Sequence, residues 1–208
     1  MYLDQPLSHF LDQLASKSAV PGGGSVAALV GALGAGLVSM VTNLTIGKEK
    51  YQNVQPQIET LLGESEKLRL EMQDLIQKDT EVFGALSEVY RMPKSTEVQK
   101  NIRNIKMQEA LKSACQVPLD IGVKALDVAK LAQQAADIGN EAVISDAGVA
   151  VVLAQACAQS AALNVKTNIN NLRDESYNQK IWAQMQNILQ QVSDIEKSVL
   201  ETIYWKMG

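Results

Sequence analysis

The sequence predicts an all-α fold: a single-domain, up-and-down helical bundle with two central small-residue helices. Three observations point there. Hydrophobic residues fill 46% of the 208 positions but aromatic ones only 4%, so the core must be built from small and aliphatic side chains. Long stretches repeat apolar residues with a period near 3.6, and none alternates with the period of a strand. Residues 18–47 and 147–165 carry no charge and are rich in Ala, Gly and Ser, as suits helices enclosed by other helices. No Pro/Gly/Ser-rich linker or repeat divides residues 1–208, so one domain is expected.

The elements follow in order. A first helix is expected from about Leu3 to Lys17, with Leu7, Phe10, Leu11 and Leu14 on its apolar face. Pro21 and Gly22–Gly24 stop it. Ser25 then caps a second helix reaching about Ile46, and Gly47 ends it. A third helix follows Pro56, with a stripe through Ile58, Leu61, Leu68, Met72, Leu75, Ile76, Phe83 and Leu86, and Met92-Pro93 breaks it. Ser95 or Thr96 caps a fourth, bent near Pro118, where an amide donor is missing. Gly139-Asn140 forms a turn, and a fifth helix runs from about Ser145 to Asn168. The sixth carries Ile181, Met185, Ile188, Val192, Val199 and Ile203 at helical spacing.

Composition excludes several functions. A net charge of −4 and a pI near 5.1 argue against a basic field for nucleic acid. One histidine, His9, and two distant cysteines, Cys115 and Cys157, are too few for a Cys/His zinc site. His9 lies next to no nucleophile motif, so it is expected to be an exposed helix residue. Residues 1–16 lack the basic start of a secretory signal, and two unpaired thiols suit the cytoplasm. Residues 25–41 are long enough to cross a bilayer, with Ala27, Gly31 and Ala35 at packing spacing. The hydroxyls and amide of Ser25, Ser39, Thr42, Asn43 and Thr45 favour a buried helix of a soluble bundle instead.

Polar residues on apolar faces are the candidates for chemistry. Asp79 stands three residues after Ile76 and four before Phe83, so it points with the core stripe. A carboxylate there is either paired with a Lys or Arg or used as an acid/base group. Asp146 opens the fifth helix, where a carboxylate also suits the helix dipole. Gly22-Gly23-Gly24-Ser25 precedes a helix N-terminus, which offers amides to an anion, although neither a Walker nor a dinucleotide pattern is complete. Asn43, Asn164, Asn168 and Asn170 lie on or near apolar faces, which suggests a polar pocket between the two central helices. Lys48 follows the second helix, at the end where a cation is favoured.

In order and spacing, these segments resemble the cyclodeaminase/cyclohydrolase family of folate enzymes. That family holds formiminotetrahydrofolate cyclodeaminases, standalone or as the C-terminal half of formiminotransferase-cyclodeaminase, and a methenyltetrahydrofolate cyclohydrolase of the same helical type. The matching pieces are Pro21 to Ala28, Ser39 to Thr45 with Gly47-Lys48 and Tyr51, and Asp79 with Phe83. Val117-Pro118-Leu119, Gly139-Asn140, Ser145 to Ala150, and Asn164 to Asn170 complete the set. The resemblance implies a folate one-carbon enzyme with no cofactor beyond its tetrahydrofolate substrate, a homodimer, and a separate formiminotransferase as a further partner. It also implies a role in histidine degradation. Its leading activity is cyclodeaminase, which releases ammonia and forms 5,10-methenyltetrahydrofolate; hydrolysis to 10-formyltetrahydrofolate is the alternative. Both reactions need a proton shuttle, for which Asp79 is the first candidate and Asp146 the second. Gly22, Gly23, Gly24, Ser25, Asn43, Lys48, Asn140, Ser145, Asn164 and Asn168 are then the expected substrate-binding residues. A noncatalytic helical scaffold is the competing reading, although a scaffold gains nothing from inward-facing polar groups.

Overall fold

The computed structural model describes residues 2–208, and among these there are helices and turns but no strand. Six α-helices are formed: α1 Leu7–Leu14, α2 Gly23–Asn43, α3 Gln55–Arg91, α4 Glu97–Ile138, α5 Ile144–Ile169 and α6 Glu175–Met207. Helices α2 and α5 pack against each other at the centre. Helix α3 covers α2 and α4, while α6 covers α4 and α5.

The expected small-residue helices form the axis. Buried Ala27, Ala28, Ala35, Ala147, Ala150, Ala154, Ala158 and Ala161 let backbones approach closely. At Gly31 a Cβ would stand 2.5 Å from the Met72 methyl, so the glycine makes room for a fully buried side chain of α3. Hydroxyls inside this axis are satisfied: Ser39 and Ser65 share a hydrogen bond at 2.9 Å, and Thr42 donates to the Ser39 carbonyl at 2.8 Å. By length and hydropathy α2 passes for a membrane span, yet 61% of its apolar window is buried inside the bundle.

Two local expectations change. The first helix is split, because the residue before Pro6 disfavours helix; a 3-10 turn spans Tyr2–Asp4 and α1 starts at Leu7. Its apolar stripe is largely uncovered: Phe10 is buried, but Leu7 and Leu11 are 63% and 51% exposed. Helix α2 begins before Ser25, with Gly22 as its cap, so Ser25 sits in the first turn with its hydroxyl free for another partner. As expected, Thr96 opens α4, in a reciprocal capping box with Gln99, and the helix continues past Pro118.

Pro118 also explains a polar contact. Proline cannot donate to the carbonyl four residues back, which leaves the Ala114 oxygen without its helical partner. The Asn168 side chain donates to that oxygen at 2.7 Å. The break in α4 is thus repaired from α5, and this fixes the end of the bundle where the polar residues gather.

Candidate functional site

At the N-terminal end of α2, three helices place polar groups around one cleft. Asp79 comes from the middle of α3, Asn164 and Asn168 from the last turns of α5, and Gly22–Ser25 from the start of α2. The cleft encloses about 190 Å³, and Asp79, Phe83, Leu86, Tyr90, Leu111, Pro118, Asn164 and Asn168 line it. Its walls are largely apolar, with a few polar groups among them.

Asp79 is half-buried. The Ser25 hydroxyl donates to its Oδ2 at 2.7 Å, and the Ser25 backbone amide donates as well. No Lys or Arg pairs with it among the described residues. Of the two accounts of a carboxylate on this stripe, the ion pair is therefore absent. Burial pushes the Asp79 carboxyl above its ordinary range, and the two Ser25 bonds only partly oppose that shift. A carboxyl group raised by burial and left without a cation is a candidate for proton transfer.

Gly24 makes the arrangement possible. A Cβ on Gly24 would stand 2.0 Å from Asp79 Oδ1, closer than any contact tolerates. The carboxylate occupies space that only a glycine leaves open. Gly23 differs, because its Cβ would meet the Asn164 amide at 3.4 Å, an ordinary contact. Asn164 spends its amide nitrogen on the Ser160 carbonyl at 2.9 Å, and Asn168 spends its own on Ala114. Each keeps its oxygen as an acceptor for a ligand.

The remaining candidates do not join this cleft. Asn43 lies at the opposite end of α2, eighteen residues from Ser25 or about 27 Å along the helix, and is exposed rather than facing a central pocket. Lys48 is exposed beyond it. Asn140 is 5% exposed and fully engaged: it donates to the Leu44 carbonyl and accepts from the Ala142 amide, while its backbone amide donates to the Thr45 hydroxyl at 2.9 Å. Ser145 is exposed, and Asp146 stands half-exposed in the first turn of α5, about 27 Å along that helix from Asn164. Asn170 is exposed. The single chain therefore assembles Gly22–Ser25, Asp79, Asn164 and Asn168, and leaves the other six outside.

Three polar residues of the cleft were not among the candidates read from the sequence: Tyr90, Thr167 and Asn171. Thr167 and Asn171 continue the face of Asn164 and Asn168 at the i, i+3, i+4, i+7 spacing of one helix side, a signal that was available. Tyr90 lies eleven residues after Asp79, three turns along α3 on the same side. The cysteines stay outside the chemistry: burial pushes the thiols of Cys115 and Cys157 up to about 11 and about 12. No group of three or more His, Cys, Asp or Glu side chains with metal-binding geometry stands among the described residues.

Known proteins match this chain along its length. The family model described as formiminotransferase-cyclodeaminase matches residues 6–200. A methenyltetrahydrofolate cyclohydrolase of Methylorubrum extorquens is 42% identical over 205 residues, which are 99% of each chain. A mouse formimidoyltransferase-cyclodeaminase is 30% identical over 97% of this chain, which spans only 37% of that longer protein. The crystal structure of a formiminotetrahydrofolate cyclodeaminase from Thermotoga maritima covers 100% of both chains with a TM-score of 0.90 at 29% identity.

Proposed function

The chain belongs to the formiminotransferase-cyclodeaminase family, and we propose that it is a folate one-carbon enzyme that opens 5,10-methenyltetrahydrofolate with water to give 10-formyltetrahydrofolate. One observation carries the chemistry: a half-buried Asp79 with a raised pKa, no counter-ion among the described residues, and a fixed place beside an apolar cleft. The preference for water over ammonia release rests on the 42% identity, end to end, with a cyclohydrolase. This reverses the order of the two reactions expected from the sequence.

The substrate is a cation whose charge is shared between N5, the bridging carbon and N10. An ionised Asp79 attracts that charge and accepts a proton from the attacking water. The water oxygen bonds to the bridging carbon, giving a tetrahedral centre. The C–N5 bond then breaks, N5 takes the electron pair and receives the proton from Asp79, and the remaining hydroxyl proton leaves to solvent as the formyl group forms. One proton is released per turnover. Asn164 and Asn168 present acceptors to donors on the pterin edge, and Ser25 holds the carboxylate in line. The residues supply the proton transfer themselves, and we read the reaction as needing no metal or redox group.

A second reading is favoured by the Thermotoga likeness at TM-score 0.90: N10 of 5-formiminotetrahydrofolate, its formimino nitrogen protonated, attacks the formimino carbon, Asp79 carries the proton from N10 to the departing nitrogen, and the C–N bond breaks to release ammonia and leave the methenyl cation. Histidine degradation, and a separate formiminotransferase as supplier, belong to this second reading. Absorbance of methenyltetrahydrofolate separates the two. It falls on addition of enzyme to the methenyl compound in the first reaction and grows from the formimino compound in the second. No change with either substrate defeats both.

We further read the enzyme as a cytoplasmic homodimer. The two buried thiols suit a reducing compartment. Leu29, Leu33 and Leu37 of α2, with Leu3 and Leu153, line an uncovered apolar groove of about 480 Å³, and a second copy would remove it from water. Sedimentation at micromolar concentration checks this, with a monomer as the adverse result.

A further inference from the structure

Pro118 stands in the interior of α4, where proline is disfavoured. It is buried, and it lines the cleft together with Ala114 and Asn168. Its ring nitrogen carries no hydrogen, so the Ala114 carbonyl, four residues back, receives nothing from residue 118. The Asn168 amide of α5 donates to that oxygen at 2.7 Å, across 54 residues of sequence. Satisfying a buried carbonyl accounts for the contact. It does not account for the proline, because an alanine at 118 would satisfy the same carbonyl with no help from α5.

The contact fixes more than a carbonyl. A side-chain amide has a donor end and an acceptor end, and a half-turn exchanges them. Only the nitrogen can face a carbonyl oxygen, so Ala114 decides which end of Asn168 is left on the other side. That end is the acceptor, and no hydrogen bond reaches it among the described residues.

Asn164, one turn earlier on α5, is held differently. Its nitrogen donates to the Ser160 carbonyl, four residues back on its own helix, at 2.9 Å. That anchor needs nothing from α4. Both asparagines line the cleft, but only Asn168 takes its orientation from the break in the neighbouring helix.

We infer that Pro118 is a positioning residue for the substrate. By denying Ala114 its helical donor, it locks Asn168 with the acceptor toward the cleft, so that this wall takes a hydrogen-bond donor of the ligand and rejects an acceptor. This rests on the folate reading above and adds the device that enforces it: an N–H or amino group of the pterin, and not its ring carbonyl, faces Asn168. The proton transfer at Asp79 is a separate step, so the effect should fall on KM.

The test is a pair of double-mutant cycles on the full chain, with 5,10-methenyltetrahydrofolate as the probe and loss of its absorbance as the readout. Pro118→Ala restores a donor to the Ala114 carbonyl and frees the Asn168 amide to turn. KM should rise roughly fivefold, the weight of one neutral hydrogen bond, with kcat within about twofold of native. The melting temperature should be no lower, since alanine suits a helix interior and proline does not. In an Asn168→Ala background the same substitution should move KM by less than about twofold, because the group it acts through is gone. In an Asn164→Ala background the whole effect should remain. Pro118→Val restores the same amide while keeping more of the ring's bulk against the cleft, and it should move KM alike. A Pro118→Ala chain with native KM overturns the positioning role, as does an equal effect in both asparagine backgrounds. So does a fall in melting temperature and kcat along with KM, which marks damage to the cleft wall. Those results leave the folate reading intact. If the native chain leaves both the methenyl and the formimino folate unchanged, and calorimetry shows that it binds neither, the folate reading falls and the positioning role with it.

Discussion

The two ends of the bundle carry polar residues of the same types and use them differently. At the α2 N-terminus, Asp79 is half-buried without a paired cation among the described residues, and Asn164 and Asn168 each retain an acceptor beside an open cleft. At the α2 C-terminus, Asn140 spends its side chain on the Leu44 carbonyl and the Ala142 amide, and Lys50 pairs with Glu141. The Tyr51 hydroxyl accepts from the Glu141 amide at 3.0 Å. One end holds groups whose hydrogen-bonding capacity is unfinished, and the other holds groups that close a turn. Polarity in an apolar setting does not separate site from scaffold. Incomplete satisfaction next to a cavity does.

The largest expected effect follows from exchanging the two carboxylates. Asp79→Asn keeps the volume but removes the proton and the charge, and turnover should fall by roughly 100-fold or more. Asp146→Asn should change turnover by less than about tenfold. Stability supplies the control. Because the folded-state pKa of Asp79 is raised, its contribution to stability is full below the ordinary carboxylate range and is lost as pH rises through the folded value. At neutral pH the raised pKa therefore costs stability, so Asp79→Asn should melt no lower than the native chain. An inactive variant that also melts well below it would return Asp79 to a structural role.

A second pair tests geometry within the active end. Gly24→Ala would drive a methyl into the Asp79 carboxylate, whereas Gly23→Ala meets only an amide at contact distance. Displacing the acid/base group by about 1 Å is worth roughly 100-fold in rate, so Gly24→Ala should approach the loss seen for Asp79→Asn. Gly23→Ala should stay near native activity, and its stability should change little. Similar rates for the two alanine variants would break the claim that the Gly24–Asp79 approach matters.

The third prediction addresses the far end. Asn140→Ala leaves the Leu44 carbonyl and the Ala142 amide without partners, a loss of about 2–4 kcal/mol. The melting temperature should fall by roughly 5–15 °C while kcat at low temperature stays near native. A variant that melts normally but loses activity would give Asn140 the functional role that the sequence reading assigned it.

Most of the fold was legible because periodicity, small-residue stretches and the signals at Pro21, Pro93 and Gly139 act locally. Helix α1 was misjudged because its leucines form a helical stripe whether or not another surface covers them, and sequence period carries no information on the cover. Asp79 was legible for a stronger reason: a charge on a core stripe conflicts with burial, and such conflict marks a site. Ser25 was read as a cap since serine before a helix usually is one. Its real partner lies 54 residues away, a distance no local rule spans. Asn43 and Asn140 stood in family pieces of their own beside those of the cleft residues, and matching order along the chain cannot reveal that Asn43 and the turn of Asn140 lie at the end of α2 away from Ser25.

The Ser25 contact yields the smallest and most specific expectation. Ser25 donates to Asp79 from both its hydroxyl and its amide. A donor to a carboxylate favours the charged form, so both bonds hold the Asp79 pKa below what burial alone would set. Ser25→Ala removes the hydroxyl and leaves the amide, and the pKa should rise further. If ionised Asp79 is the base that activates water, the rate climbs with pH as that carboxyl loses its proton. In Ser25→Ala the climb should move to higher pH, while the plateau above it falls only a few-fold as the carboxylate loses one positioning bond. A purely structural Ser25 would lower the melting temperature and leave the position of the limb where it was. A shift of the limb to lower pH would contradict the sign of the argument, and with it the assignment of the limb to Asp79.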